Sequence, residues 1–301
     1  YFHYVLCLSE AKGMDIIMKI RRNWGNCMRK SLTVLSVCLG AAVVACGCGT
    51  GEQTSGNIQL AGSTSMEELC IALSESYMEK NPNVTVTTEY IGSTAGIEAL
   101  LSGAADIGTS SRNLTQEEKD QGVVENVVAK DGIAVIVNPA VTGVEALSSQ
   151  QIADIYIGNI TNWQEVGGPD MPIITIGHEA GSGTRDPFEE TLNIVDKCKY
   201  SNEMSGSGPV ITKVGETEGA VGYCSSALIN DSVIAVAVDG AEPKKENIQN
   251  GTYRLTKTMV MATMGEIGEQ NQLVQDFFDF VYSDDGKSLA ELVNLIPISR
   301  E

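Results

Sequence analysis

Three stretches, Ala61-Gly62-Ser63-Thr64-Ser65, Ile91-Gly92-Ser93-Thr94-Ala95 and Ala180-Gly181-Ser182-Gly183-Thr184-Arg185, share one composition: a Gly/Ser/Thr turn running into an amphipathic, helix-patterned segment. A helix start leaves about four backbone N–H groups without partners and carries roughly half a positive charge; glycine allows close approach and hydroxyls add donors. Such a turn can cradle an anion, and three of them predict a ligand held by several helix ends at once. Ordinary capping is the competing reading. Thr64-Ser65-Met66-Glu67 has the form of a capping box, Ser93 can act as an N-cap, and Asp186-Pro187 suits a helix start with or without a ligand. By composition Ser110-Ser111-Arg112 reads as a solvated turn. The third stretch is not a Walker loop, because no Gly-Lys-Ser/Thr follows at the required spacing.

Charge narrows the choice of ligand. The chain of 301 residues has a net charge of −19, and residues 46–301 hold 14 basic against 37 acidic residues, a net charge of −23. Nucleic acid is an unsuitable partner for so acidic a surface. An anion would have to be captured by local dipoles and a few placed cations. Only four arginines lie in residues 46–301, Arg112, Arg185, Arg254 and Arg300, and the first two directly follow Ser/Thr-rich turns. The guanidinium fork suits a tetrahedral oxyanion. No Cys/His cluster has metal-site spacing, so neither a metal nor another cofactor is expected. Cys70 reads as a small packed hydrophobe, whereas Cys198 and Cys224 could form a disulfide in an exported protein.

The elements that must position these turns alternate in type. Residues 57–61 and 84–90 are strand-like, 66–80 and 97–102 helix-like, and Asp106-Ile107-Gly108 ends another strand. This alternation predicts an α/β fold with mostly parallel sheets, in which ligands bind outside the carboxyl ends of strands. Gly132-Ile133-Ala134-Val135-Ile136-Val137 is apolar enough for a buried strand crossing between two lobes. A helix over 149–156, a strand over 173–177, an apolar run over 233–238 and a one-faced helix over 272–282 follow.

The N-terminal region reads differently. Residues 1–27 lack sustained periodicity, whereas Met28-Arg29-Lys30, the apolar residues 32–44 and Ala45-Cys46 match a signal peptide whose apolar run is too short for an ordinary membrane span. Val43-Val44-Ala45-Cys46 is similar to a lipobox, with Cys46 as the lipidated residue and a polar, Gly-rich tether after it. One catalytic arrangement also needs weighing. His178 and Ser182 are four residues apart, as a nucleophile and its base could be on one turn. The sequence supplies no orienting carboxylate and no Gly-x-Ser-x-Gly elbow, which leaves a secreted serine hydrolase as a minor alternative.

Taken in order, Ala61-Gly62-Ser63-Thr64-Ser65, Ile91-Gly92-Ser93, Asp106-Ile107-Gly108-Thr109-Ser110-Ser111-Arg112, Ile160-Thr161-Asn162-Trp163 with Gly167-Gly168, Gly181-Ser182-Gly183-Thr184-Arg185, Gly219-Ala220-Val221-Gly222-Tyr223 and Leu295-Ile296-Pro297-Ile298-Ser299 resemble the phosphate-binding lipoproteins of bacterial ABC importers. The resemblance implies a periplasmic-binding-protein type II fold, two-lobed and joined by a two-strand hinge. Lobe 1 would comprise 57–133 and 258–301, lobe 2 134–257, with 46–56 as tether and 1–45 as upstream extension and signal peptide. Phosphate would be held by Thr64, Ser65, Ser93, Ser111, Arg112, Ser182, Gly183, Thr184 and Arg185, with Ser63 and His178 at the rim. A non-catalytic monomer, lipid-anchored outside the cell membrane and docking on a permease, is implied. The same fold could instead hold sulfate, molybdate or tungstate. Two departures from the family bear on selectivity: Ser111 stands where some members carry a proton-accepting aspartate, and His178 where members often carry an arginine.

Overall fold

The computed structural model describes residues 55–300; the proposed start at Met28, the signal segment and Cys46 lie outside the described residues, as does nearly all of the tether. The tether ends earlier than expected, because Gly56 already belongs to the first strand.

Apolar alternation builds the edge strand Val84–Tyr90, with Val84 and Val86 buried and Thr85 and Thr87 exposed. It pairs in parallel with Gly56–Gly62, which pairs in parallel with Ile107–Ser110. Parallel neighbours need long crossovers, and the helices Glu67–Lys80 and Ser93–Leu101 supply them. At the opposite end of the sheet, Ala220–Ser225, Ile174–His178 and Asn202–Met204 form a second parallel set. Two long strands, Val127–Val137 and Thr256–Met264, run antiparallel between the sets. The ladder is therefore continuous from Val84–Tyr90 to Asn202–Met204 through the two crossing strands. A register shift between Met259 and Val260 puts a bulge in the second of them.

Each parallel set is covered on both faces, giving an α/β architecture with two halves. In the first half, one face packs Ile58, Leu60, Leu73, Phe277 and Phe278 together, and the other packs Ile97, Leu100, Leu114 and Val260. In the second, Val135, Tyr156, Trp163, Phe188 and Tyr223 fill one side, and Ala134, Ile136, Val210 and Val214 the other. Residues Ile133 to Val137 have no exposed surface at all, which explains their unbroken apolar character: both faces of the crossing strand are roofed. Cys70 packs in the first core as a small hydrophobe.

Some local expectations change. The apolar run 233–238 is not one strand: Ile234–Ala235 pairs with the crossing strand, and Ala237–Val238 steps off to pair with Ala146–Leu147 in a separate small sheet. Thr64 and Glu67 do not make a capping box. Ser63 caps a single 3-10 turn, Thr64–Met66, its Oγ accepting from the Ser65 N–H, before the α-helix begins at Glu67. Cys198 and Cys224 are both free thiols, so the possible disulfide is not formed; Cys224 is buried within a strand while Cys198 is half-buried, 3.7 Å from the Ile194 carbonyl oxygen.

One close approach seats two of the Ser/Thr turns side by side. A Cβ on Gly96 would lie 2.3 Å from Gly62 Cα and 2.5 Å from the Ala61 carbonyl oxygen, so only glycine lets the helix Ser93–Leu101 rest on the first strand. Backbone, unlike a flexible side chain, cannot yield cheaply. Gly96→Ala is expected to cost about 2–3 kcal/mol of stability by overpacking, read as a lowered midpoint in urea unfolding; an unchanged midpoint would show that the helix can shift freely.

Candidate functional site

The Ser/Thr turns converge at the carboxyl ends of parallel strands. Ser63-Thr64-Ser65 follows Gly56–Gly62, Ser93 follows Val84–Tyr90 after a two-residue turn, Ser111 follows Ile107–Ser110, and Ser182-Gly183-Thr184 follows Ile174–His178. The first three belong to one half of the fold and the last to the other, so the gap between halves is lined by strand ends and helix starts.

The halves touch through glycine. A Cβ on Gly183 would lie 2.2 Å from Ser93 Oγ and 2.6 Å from Ser111 Oγ, and the Thr94 N–H donates to the Gly181 carbonyl at 3.2 Å. Ser65 Oγ is 3.2 Å from Thr184 Oγ1. These hydroxyls are not helix caps. Ser93 is the first residue of its helix, its Oγ accepting from the Ser111 N–H at 3.1 Å, and Thr184 stands at the N-cap position of its helix but its hydroxyl makes no capping bond. The N-cap reading of Ser93 is thus replaced by a bond to the neighbouring strand end, and Ser110-Ser111-Arg112 is buried rather than a solvated turn. A cavity of about 480 Å³, bordered by Thr64, Tyr90, Thr94, Glu179, Gly181 and Ser182, leads to this meeting point.

Beneath the hydroxyls lies a cation that sequence reasoning missed. Lys257 Nζ donates to Ser65 Oγ at 2.9 Å and to Thr184 Oγ1 at 2.7 Å, linking the halves, and sits 3.7 Å from Asp131 Oδ2. Lys257 and Asp131 are directly paired residues on the two crossing strands, and both side chains are completely buried. Asp131 is further held by the hydroxyls of Ser225 at 2.6 Å and Ser226 at 2.8 Å. Burial pulls the Lys257 ammonium below its ordinary pKa, with Asp131 opposing. A fourth helix start joins the ring: Ser207 Oγ lies 3.4 Å from Ser65 Oγ and accepts from the Ser225 N–H. Its signal was present in the sequence as Ser205-Gly206-Ser207-Gly208-Pro209, a further Gly/Ser turn. For Lys257 the signal was a lone charge in an otherwise β-patterned stretch.

Both arginines singled out from sequence are committed elsewhere. The Arg112 guanidinium bonds Glu118 with both terminal nitrogens, 2.9 and 2.7 Å, reaches the Asn113 carbonyl and Thr94 Oγ1, and pairs through Nε with Asp186 Oδ2 at 3.0 Å across the gap. Its four terminal N–H groups are all bonded, while the buried Nε meets Asp186 at ion-pair distance without an aligned hydrogen bond. Arg185 pairs with Glu189 and Glu203 at 2.7 Å, donates to the His178 carbonyl and lies over the Tyr200 ring. Each fixes a turn in place without presenting its charge to the meeting point.

The rim placement expected for Ser63 and His178 is corrected: they are 2% and 1% exposed. Ser63 is covered because its oxygen caps the turn beneath Ser65. His178 ends a central strand of the second half, its ring stacked 5.0 Å from that of Tyr223, with Nε2 2.9 Å from the Tyr223 carbonyl oxygen and Nδ1 3.1 Å from Ser182 Oγ. Burial lowers its pKa to about 3, so the ring is neutral at ordinary pH.

The arrangement can enclose a small, multiply charged oxyanion: one buried ammonium lies against the Ser65 and Thr184 hydroxyls, and next to Thr184 is a Gly183 N–H with no acceptor among the described residues, facing the Ser93 and Ser111 hydroxyls. Low local dielectric strengthens each such contact. The Arg112–Glu118 pair should be structural. Burial raises the Glu118 pKa, but the Arg112 hydrogen bonds and the Thr115 N–H outweigh it and hold the group below 4.5. Its stabilising contribution is therefore complete above the unfolded carboxyl value and lost as pH falls through the lowered one. Arg112→Ala is expected to cost about 3 kcal/mol at pH 7 and much less near pH 3, measured by urea unfolding at both; an equal cost at the two pH values would assign the loss to packing.

The PBP superfamily domain matches residues 49–285. The phosphate-binding protein PstS of Bacillus subtilis is 31% identical over 294 residues, covering 90% of this chain and 96% of that protein, and the PstS of Borreliella burgdorferi is 27% identical over 246 residues, covering 78% and 87%. A phosphate-bound crystal structure from Clostridium perfringens, assigned as a phosphate ABC transporter substrate-binding protein, superposes with a TM-score of 0.75 at 35% identity, covering 81% of this chain and all of that one. An ABC-type phosphate transport receptor from Vibrio cholerae superposes with a TM-score of 0.68 at 32% identity, covering 79% and 99%. With strand-end turns facing one another around a buried ammonium, and with likeness along nearly its whole described length, the chain belongs to the PstS family of phosphate-binding proteins within the PBP superfamily.

Proposed function

We propose that this protein captures inorganic phosphate between its two lobes outside the cell membrane and delivers it to the permease of an ABC importer, without catalysing a reaction. The observation that carries the reading is Lys257, whose ammonium joins Ser65 of one half to Thr184 of the other. An anion entering there would take over contacts that hydroxyls now make with each other, and Lys257 would supply the counter-charge. The proposed contacts are Thr64, Ser65, Ser93, Ser111, Ser182, Gly183 and Thr184 together with Lys257. Arg112 and Arg185 act by fixing the turns through Glu118, Asp186, Glu189 and Glu203. The lobes are 57–133 with 258–301, and 134–257, and they close as a monomer on the ligand. Cys46 carries the lipid that keeps the protein at the membrane surface.

Hydrolysis has one observation in its favour, the 3.1 Å Ser182–His178 contact. A general base works best with a pKa near the operating pH, and His178 is lowered to about 3, with a backbone carbonyl rather than a carboxylate at Nε2. Binding without turnover is the better account.

Calorimetric titration of phosphate-stripped protein is expected to show micromolar or tighter binding of phosphate and none of molybdate or tungstate at the same concentrations; the converse pattern would reassign the ligand. Lys257→Met, paired with Asp131→Asn so that no buried charge is stranded, should weaken phosphate binding at least tenfold, about 1.4 kcal/mol. Arg185→Ala should weaken it less; a larger loss at Arg185 would move the counter-charge there. Growth with radiolabelled palmitate should label the wild type and not a Cys46→Ser variant.

A further inference from the structure

The hydrogen-bond roles around His178 can be assigned from chemistry alone. A neutral imidazole has one N–H and one lone pair. Nε2 faces the Tyr223 carbonyl at 2.9 Å, and a carbonyl only accepts, so the hydrogen is on Nε2. Nδ1 is then a bare acceptor, and its partner at 3.1 Å is Ser182 Oγ, which must donate. Ser182 Oγ meanwhile accepts from the Thr184 N–H at 3.2 Å. A serine hydroxyl has one hydrogen and two lone pairs, so one lone pair remains and no hydrogen. Ser182 borders the cavity that leads into the gap. The groups next along the turn can all donate: the Gly183 N–H, and the Ser93 and Ser111 hydroxyls that face Gly183 and can turn their own hydrogens inward, while the Lys257 ammonium is bonded to the neighbouring Thr184.

We propose that Ser182, its proton held by His178, is the acceptor in the anion site, so that His178 acts as a positioning residue that favours oxyanions carrying a hydroxyl over fully deprotonated ones. The inference rests on the phosphate reading given above. Monohydrogen and dihydrogen phosphate, and arsenate likewise, carry an O–H that can donate to the free lone pair of Ser182. Sulfate near neutral pH has none, and would set an oxygen lone pair against another. For Ser182 to turn its hydrogen toward sulfate, the buried Nδ1 must lose its only donor, an unsatisfied acceptor that costs roughly tenfold or more in affinity. Ser111 imposes no such constraint, because its hydroxyl can donate to either anion. Discrimination by an acceptor is thereby placed on the second half of the fold, in a chain with no aspartate at 111.

Two measurements test this on the full chain. Long-range proton–nitrogen correlation spectra, with His178 assigned by comparison with a His3→Gln variant, which leaves His178 as the one histidine of the sequence, are expected to show Nε2 protonated and Nδ1 bare between pH 5 and 8, with and without phosphate. A protonated Nδ1 would overturn the proposal. Competitive calorimetry with phosphate and sulfate is expected to show a preference for phosphate in the wild type that falls at least tenfold in His178→Phe, chiefly through gained sulfate affinity, and falls also in Ser182→Ala. The spectra and the Ser182→Ala titration remain decisive if His178→Phe does not fold. A preference unchanged in Ser182→Ala would overturn the role of the pair while leaving phosphate capture intact. Failure of the wild type to bind phosphate at all would overturn the phosphate reading itself.

Discussion

The rest of the site depends on one buried ion pair. Lys257 and Asp131 face each other on adjacent crossing strands, with neither side chain reaching water. Two charges removed from water are costly unless their remaining donors and acceptors are met. Here Ser225 and Ser226 complete the carboxylate, and Ser65 and Thr184 complete the ammonium. Those last two hydroxyls come from opposite halves of the molecule. Satisfying the ammonium and bringing the halves together are thus the same event.

That constraint explains why hydroxyls dominate the site. Serine and threonine can both donate and accept, so Ser65 and Thr184 can bond Lys257 and each other and can exchange those bonds for bonds to an incoming anion without leaving an atom unsatisfied. An arginine could not reverse its role. The two nearest, Arg112 and Arg185, are instead neutralised by carboxylates beside them, as suits an acidic chain in which unpaired positive charge is scarce.

The cradles were legible in the sequence because their signal is local: glycine and hydroxyl residues followed by helical periodicity, placed after strand-like segments, give a turn at a strand end whatever lies elsewhere. The helix Gln272–Tyr282 and the strand Val84–Tyr90 were legible for the same reason, each being written in its own periodicity. What escaped is non-local. Lys257 acquires meaning only from its register opposite Asp131, which depends on how two distant segments pair. The arginines adjoin Ser/Thr turns along the chain, yet their direction is set by Glu118, Glu189 and Glu203, reached through helical and sheet geometry. The splitting of 233–238 likewise depends on a partner strand, Ala146–Leu147, that the run itself does not announce.

The uninterrupted ladder through the crossing strands makes the joint between the halves a flexure rather than a pivot. Strands that keep their hydrogen bonds from one half to the other cannot part along a loop; a change in the angle between halves must be absorbed as twist and bend within Val127–Val137 and Thr256–Met264. The register shift at Met259/Val260 is where the second of these already departs from a regular pleat, and so where bending is least resisted. Asp131 and Lys257 ride on the same two strands. A change in the angle between the halves would therefore act on the very strands that carry these two charges, tying the mechanics of the joint to the electrostatics of the site.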